Sequence, residues 1–274
     1  MILEIKIPPP PLGQVVDSIT YHEGYSPAHA IERFLPDGSV DLVIDLTEEP
    51  KHIYDNQTLE QKQACRKAWV SGMRRHFISI DAGQNSSMLV VRLRPGAAWN
   101  LLQLPLAELT DQVVEAELLF GAAIVDLREQ LLAAVDPPQK LAIAGHWLWD
   151  RLRNGREAPP VVGFAVQRLL ADPTQQAIEE LARKTGCSQK HLIQLFQTYV
   201  GLSPKYFQRL LRFQLVLEEL QSSFACQWTR IAHDCGYYDQ AHFINEFRRF
   251  SGFRPTEYLQ EKEELAHYVP VRGG

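Results

Sequence analysis

From residue 160 onward apolar side chains recur at three- and four-residue steps almost without a break, which predicts helices. The first hundred residues read differently, as short apolar runs cut by turn formers. Val40-Asp41-Leu42-Val43-Ile44-Asp45-Leu46 follows the turn Pro36-Asp37-Gly38; Phe77-Ile78-Ser79-Ile80 is a second run, and Met88–Leu93 ends at Pro95-Gly96. These runs predict strands of a β-barrel or sandwich. Between the two regimes, residues 105–153 read as helical: Leu106, Leu109, Val113, Val114 and Leu118 share one stripe, Leu127, Leu131 and Leu132 another. Pro137-Pro138 opens a further helix carrying Leu141, Trp147, Leu148 and Leu152.

The run Asn154-Gly155-Arg156-Glu157-Ala158-Pro159-Pro160 stops that helix and favours an extended linker. The expected division is a strand-rich domain over 1–154 with trailing helices, a linker over 155–160, an all-α domain over 161–262 and a tail over 263–274. A chain of 274 residues is long enough for each half to bury a core of its own.

The helical half contains a repeat. His191-Leu192-Ile193-Gln194-Leu195-Phe196 aligns with His242-Phe243-Ile244-Asn245-Glu246-Phe247, and the same offset carries Gly201 onto Gly252 and Pro204 onto Pro255. Upstream the offset shortens by one residue, matching Leu181-Ala182 to Ile231-Ala232 and Gly186 to Gly236. The slip falls in a turn, Tyr237-Tyr238-Asp239 against Cys187-Ser188, where homologous helical units tolerate it. Each copy reads as a helix-turn-helix: a small alanine for close crossing, a glycine for the turn, and a capping Ser188 or Asp239 opening a second helix. The helix 204–221, opened by Ser203-Pro204, would join the two units.

Charge follows the same division. Residues 1–154 hold 14 basic and 20 acidic side chains, but the stretch 183–254 holds ten basic against five acidic. Attraction for phosphate is screened beyond about 10 Å, so the local excess outweighs the chain's net charge of −5. The four cysteines (Cys65, Cys187, Cys226, Cys235) form no C-x-x-C pair, and His233, Cys235 and His242 lack zinc-ligand spacing, so no metal and no cofactor are expected. No apolar run is long enough for a membrane helix, and the start of the chain lacks the form of a signal peptide; the expectation is a cytoplasmic protein without membrane contact.

The run from Gly236-Tyr237-Tyr238-Asp239-Gln240-Ala241-His242-Phe243 through Phe250-Ser251-Gly252-Phe253-Arg254-Pro255-Thr256-Glu257-Tyr258 resembles the signature of the arabinose-regulator (AraC/XylS) family of transcription regulators. Alanine at 241 departs from the serine that is frequent there. The resemblance covers about residues 161–260 and implies two recognition helices entering successive stretches of major groove. It assigns base contacts to Lys190, Ile193 and Gln194 on the first helix, and to Gln240, Ala241, His242 and Asn245 on the second. Gln and Asn pair bidentately with adenine, Lys with guanine, and Ile and Ala pack on a thymine methyl. Lys205, Arg209, Arg212, Arg230, Arg248 and Arg249 are the expected phosphate contacts.

By order along the chain, the strand-rich half resembles the cupin-like sensing and dimerising domains of the same family. Its histidines are dispersed with no H-x-H pair, which argues against a metal enzyme. Tyr54, Trp69 and Trp99 are candidates to line an effector pocket, with core packing the alternative for the tryptophans. The expected partners are double-stranded promoter DNA, a small-molecule effector, a second copy paired through helices 105–153, and RNA polymerase if the protein activates. An enzyme fused to a DNA-targeting module, a DNA-repair methyl acceptor, and a ligand-binding module without DNA binding are the competing readings.

Overall fold

The computed structural model describes residues 1–83, 85–222, 228–263 and 265–271. Cys226 lies outside them, as does the side chain of Ser222. The chain opens with nine strands: β1 (Ile2–Lys6), β2 (Val16–Tyr25), β3 (Ile31–Phe34), β4 (Val40–Asp45), β5 (Lys51–Tyr54), β6 (Gln61–Cys65), β7 (Ala68–Ser71), β8 (Ile78–Asp81) and β9 (Ser86–Leu93). Then come α1 (Trp99–Leu102), β10 (Val113–Glu115), α2 (Ala116–Phe120), α3 (Ala122–Ala133) and α4 (Pro137–Asn154). Seven helices follow: α5 (Pro160–Ala171), α6 (Ile178–Lys184), α7 (Gln189–Tyr199), α8 (Pro204–Ser222), α9 (Trp228–Asp234), α10 (Gln240–Ser251) and α11 (Pro255–Glu261). A last strand, β11 (Tyr268–Pro270), closes the described chain.

The strands form two antiparallel sheets, ordered β1-β2-β9-β4-β7-β10 and β11-β3-β8-β5-β6. Neither closes on the other, so the architecture is a sandwich and not a closed barrel. In the six-stranded sheet, cross-strand partners Leu42, Val91 and Ile19 share one face with Ile44, Leu89 and Tyr21, all buried. That face is covered by the trailing helices, whose own stripe (Ile124, Leu127, Leu131, Leu141, Leu148) is buried against it. The Arg128 guanidinium fixes the layer by donating to the Asp45 carbonyl at 2.8 Å. The opposite face carries Arg92, which pairs with Asp37 and Asp41 and lies 5.9 Å from the Phe34 ring of the second sheet. Burial lifts the Asp41 carboxyl above its ordinary range, while Arg92 opposes the rise.

The stretch 105–115 departs from the helical expectation, which holds again from Ala116, where α2 begins. Residues Leu106–Glu108 form one 3-10 turn, and Val113–Glu115 pair antiparallel with Ser71–Trp69 as the edge strand β10. The adjacent β-branched residues Val113 and Val114 suit an extended edge, and the pairing satisfies backbone groups that a helix this short would leave open. Leu118, placed in that stripe, is 76% exposed.

The two halves do not keep separate cores. One cluster of buried side chains runs from Val15 in the sandwich to Tyr258 in α11. A Cβ on Gly96, ahead of α1, would sit 2.7 Å from Val166 of α5, so the glycine permits that approach. The linker between α4 and α5 is held in place: the Gln103 side chain bonds Arg156 through both backbone groups, and the Asn100 carboxamide accepts from Ala158 N. The tail returns to the first half, where β11 pairs with β3.

Candidate nucleic-acid interface

Both units are built on the same local code. In the first, Leu181 and Ala182 of α6 are buried, Gly186 turns the chain at φ +71°, and Cys187 N bonds back to Ala182 O. In the second, Ile231 and Ala232 of α9 are buried, Gly236 turns at φ +74°, and Tyr237 N bonds back to Ala232 O. The Ser188 hydroxyl then accepts from His191 N at 3.2 Å and the Asp239 carboxylate from His242 N at 2.7 Å, capping α7 and α10. Leu192 and Phe196 anchor α7; Phe243, Phe247 and Phe250 anchor α10. Phe213 of α8 stacks on Phe250 with centroids 5.0 Å apart and meets Phe247 edge-on, so α8 carries the second unit on an aromatic seam.

Everything assigned to base contact faces outward. Lys190, Ile193 and Gln194 are exposed on one side of α7, and Gln240, Ala241, His242 and Asn245 on one side of α10. Among the candidates for phosphate, Lys205, Arg230, Arg248 and Arg249 are exposed. Arg209 and Arg212 are not disposed as expected. Glu246, 3% exposed on the inner side of α10, draws both guanidiniums inward: Arg209 Nε lies 2.5 Å from Oε1 and Arg212 Nη2 3.8 Å from Oε2. Arg212 also donates to the Gly236 carbonyl at 3.0 Å and lies 5.3 Å from the Tyr237 ring. The two arginines therefore seat α10 and its preceding turn on α8. Glu246 was missed in the sequence, where its spacing from Phe243 and Phe250 would have marked an acid on an otherwise apolar stripe.

The first half grips both α7 and α10 at their C-terminal ends. The Thr110 hydroxyl donates to Gly201 O, just past α7, at 2.7 Å. At the end of α10, Phe77 N donates to Phe250 O at 3.0 Å, His76 Nδ1 lies 3.2 Å from Arg249 O, and Arg33 Nη1 lies 3.4 Å from Gly252 O. The Arg33 guanidinium is held between two rings, 4.6 Å from that of Phe77 and 4.3 Å from that of Phe253. A cation at this helix end also meets its negative pole. None of these residues carries a sequence signal.

Of the three effector candidates, Tyr54 lines a cavity of about 590 Å³ together with Arg74, His76, Phe77 and Gln112. Its hydroxyl donates to Asp81 at 2.5 Å, and burial together with that carboxylate pushes its pKa up to about 12. Arg74 is 8% exposed, and desolvation lowers its pKa to about 10. Trp69 lies on β7, opposite Val43 and Glu115 of the flanking strands. Trp99 packs edge-on against Tyr199 of α7 at 4.8 Å, in the contact between the halves. Among the described residues no group of three or more His, Cys, Asp or Glu is arranged to hold a metal ion, and no helix is long and apolar enough to cross a membrane.

Comparison with known proteins follows the same division. Residues 181–261 match the helix-turn-helix domain family, and residues 5–115 match a domain family of unknown function, DUF6597. A protein of Haemophilus influenzae described as an uncharacterized HTH-type transcriptional regulator is 32% identical over 84 residues, 30% of this chain; the match spans 27% of that relative's length. Among solved structures, fatty-acid-bound ToxT of Vibrio cholerae aligns over 88% of this chain and 94% of its own at 10% identity, TM-score 0.47. A probable AraC family regulator of Rhodopseudomonas palustris aligns over 37% of this chain and 96% of its own, with 28% identity and a TM-score of 0.34. With both units built on one capped, glycine-turned frame, residues 181–261 of this chain form a helix-turn-helix domain.

Proposed function

We propose that the chain is a sequence-specific DNA-binding transcription regulator acting in the cytoplasm, with its N-terminal half setting when the C-terminal half binds. The observation that carries the reading is the pair of capped helices, α7 and α10, each presenting an exposed polar face while its other face is locked into the core. The 19-residue helix α8 joins the two units. Lys190, Ile193, Gln194, Gln240, Ala241, His242 and Asn245 read bases; Lys205, Arg230, Arg248 and Arg249 position the phosphates.

The regulatory half of the proposal rests on the 590 Å³ cavity, a size that suits a small effector. Its wall includes His76 and Phe77, which also hold the end of α10, so an occupant there would shift the docking of the second unit. The N-terminal half is also taken as the dimerising part, and RNA polymerase as a partner where the regulator activates. Against the repair-enzyme alternative, the Cys65 thiol is 2% exposed and burial pushes its pKa up to about 12, the opposite of an activated nucleophile.

Gel-shift titration of the whole chain against the DNA upstream of its own gene tests the reading. Binding that survives excess random DNA is expected. Equal affinity for both at physiological salt would leave only non-specific phosphate attraction and overturn it.

A further inference from the structure

The six-stranded sheet ends on β1, whose outer edge has no strand beside it among the described residues. All of its residues are exposed, including Ile2 at 45%, Leu3 at 52% and Ile5 at 58%, and Ile7 just beyond is 73% exposed. An apolar edge with open backbone groups is a template for another strand, and proteins ordinarily blunt such edges with charge, proline or a bulge. Here the prolines begin only at Pro8, after the strand has ended. The inner apolar stripe of the trailing helices is already spent on the sheet, and what they leave exposed, such as Leu118, Leu132 and Val135, carries no open backbone edge.

We propose that β1 is the homodimer interface, two copies pairing β1 to β1 antiparallel about a twofold axis through Ile5. This rests on the reading of the N-terminal half as the dimerising part, and it names the surface. Charge sets the register. Alternate residues of a strand turn their N–H and C=O to the same side, so a residue pairs with one of like parity on the partner strand. Centred on Ile5, each Glu4 faces the partner's Lys6, Leu3 faces Ile7 twice, and Ile5 faces itself. Centring on Glu4 sets two carboxylates opposite each other, and centring on Lys6 sets two ammonium groups opposite. Glu4 and Lys6 lie on one face of the strand and Leu3, Ile5 and Ile7 on the other, so the joint has a charged side and an apolar side. Neither Glu4 nor Lys6 has an ion-pair partner among the described residues. The union makes a continuous sheet of twelve strands, with α4, which lies against β1, flanking it in each copy.

Sedimentation equilibrium of the full chain and of two charge-reversal variants, Glu4→Lys and Lys6→Glu, decides the matter. The wild type is expected to dimerise, and each variant alone, now facing like charge twice, to dissociate about tenfold more readily. An equimolar mixture of the two variants restores opposite charges at both contacts and is expected to form a heterodimer as tight as the wild type. A wild type that stays monomeric up to roughly 100 µM overturns both this interface and the dimerising role of the half. A dimer unaffected by either variant overturns the interface alone, and loss without recovery in the mixture overturns the register. Circular dichroism of each variant confirms that β1 substitutions leave the fold intact.

Discussion

Glu246→Gln is the most informative single change in the helical half. It keeps the side chain's shape and one acceptor oxygen but removes the charge that holds Arg209 and Arg212. Glu246 is 3% exposed, and the arginine side chains are 23% and 16% exposed. Removing one partner of a fully buried ion pair costs ~3–5 kcal/mol. Both guanidiniums retain some solvent, and the amide still accepts one bond, so the expected loss is about 2 kcal/mol. Urea unfolding followed by circular dichroism reads this as a lower midpoint with an unchanged slope. A double-mutant cycle with Arg209→Gln should return a coupling of about 1–3 kcal/mol. A loss below about 0.5 kcal/mol, the range of ordinary surface substitutions, would refute the idea that this triad seats α10 on α8.

Two further outcomes follow from the contact between the halves. Gly252 has φ +75°, and a Cβ there would meet the Phe77 ring at 2.5 Å, whereas one on Gly186, φ +71°, would meet nothing within 4 Å. Gly252→Ala should therefore cost about 2–4 kcal/mol in urea unfolding and Gly186→Ala only ~1–2 kcal/mol; equal losses would mean that Phe77 does not press on the end of α10. His267 lies 2.6 Å from Gln214 Oε1, and Gln214 in turn donates to Pro36 O, while burial lowers the imidazole's pKa from 6.5 with Asp37 opposing and Arg92 assisting. The unfolded chain takes up a proton there before the folded one does, so this contribution is complete above about pH 6.5 and is lost as the pH falls below it. Thermal melts between pH 7.5 and 5.5 should show His267→Gln losing less stability than wild type, and parallel curves would contradict the assignment.

What could be read from the sequence tracks how local its causes are. The two helix-turn-helix units were legible because each depends on neighbours in the chain: a small alanine, a glycine at positive φ, and a capping Ser188 or Asp239. The strands at 40–46, 77–80 and 88–93 were legible for the same reason, as apolar runs closed by turns. Residues 105–115 were misread because Leu106, Leu109 and Val113 mimic a helical stripe, while β7 supplies the pairing that makes Val113–Glu115 a strand. The inward turn of Arg209 and Arg212 depends on Glu246, over thirty residues away, so their charge alone suggested phosphate. The Arg33 clasp lay further out of reach, since it joins β3, the residue before β8 and the residues after α10. The outward face of α7 and α10 followed from periodicity alone, because whatever is not on the buried stripe must face away.

The central claim is that α7 and α10 read base edges, and its most direct test is binding by matched variants on matched DNA. A binding site is first selected from a randomised pool with the wild-type chain, and affinities of wild type, Gln194→Ala and Asn245→Ala are then measured by fluorescence anisotropy on that site and on random duplex. Each substitution is predicted to weaken binding to the selected site by ~1–3 kcal/mol and to leave binding to random DNA unchanged. Equal losses on both duplexes would place Gln194 and Asn245 on the phosphate backbone and contradict the account.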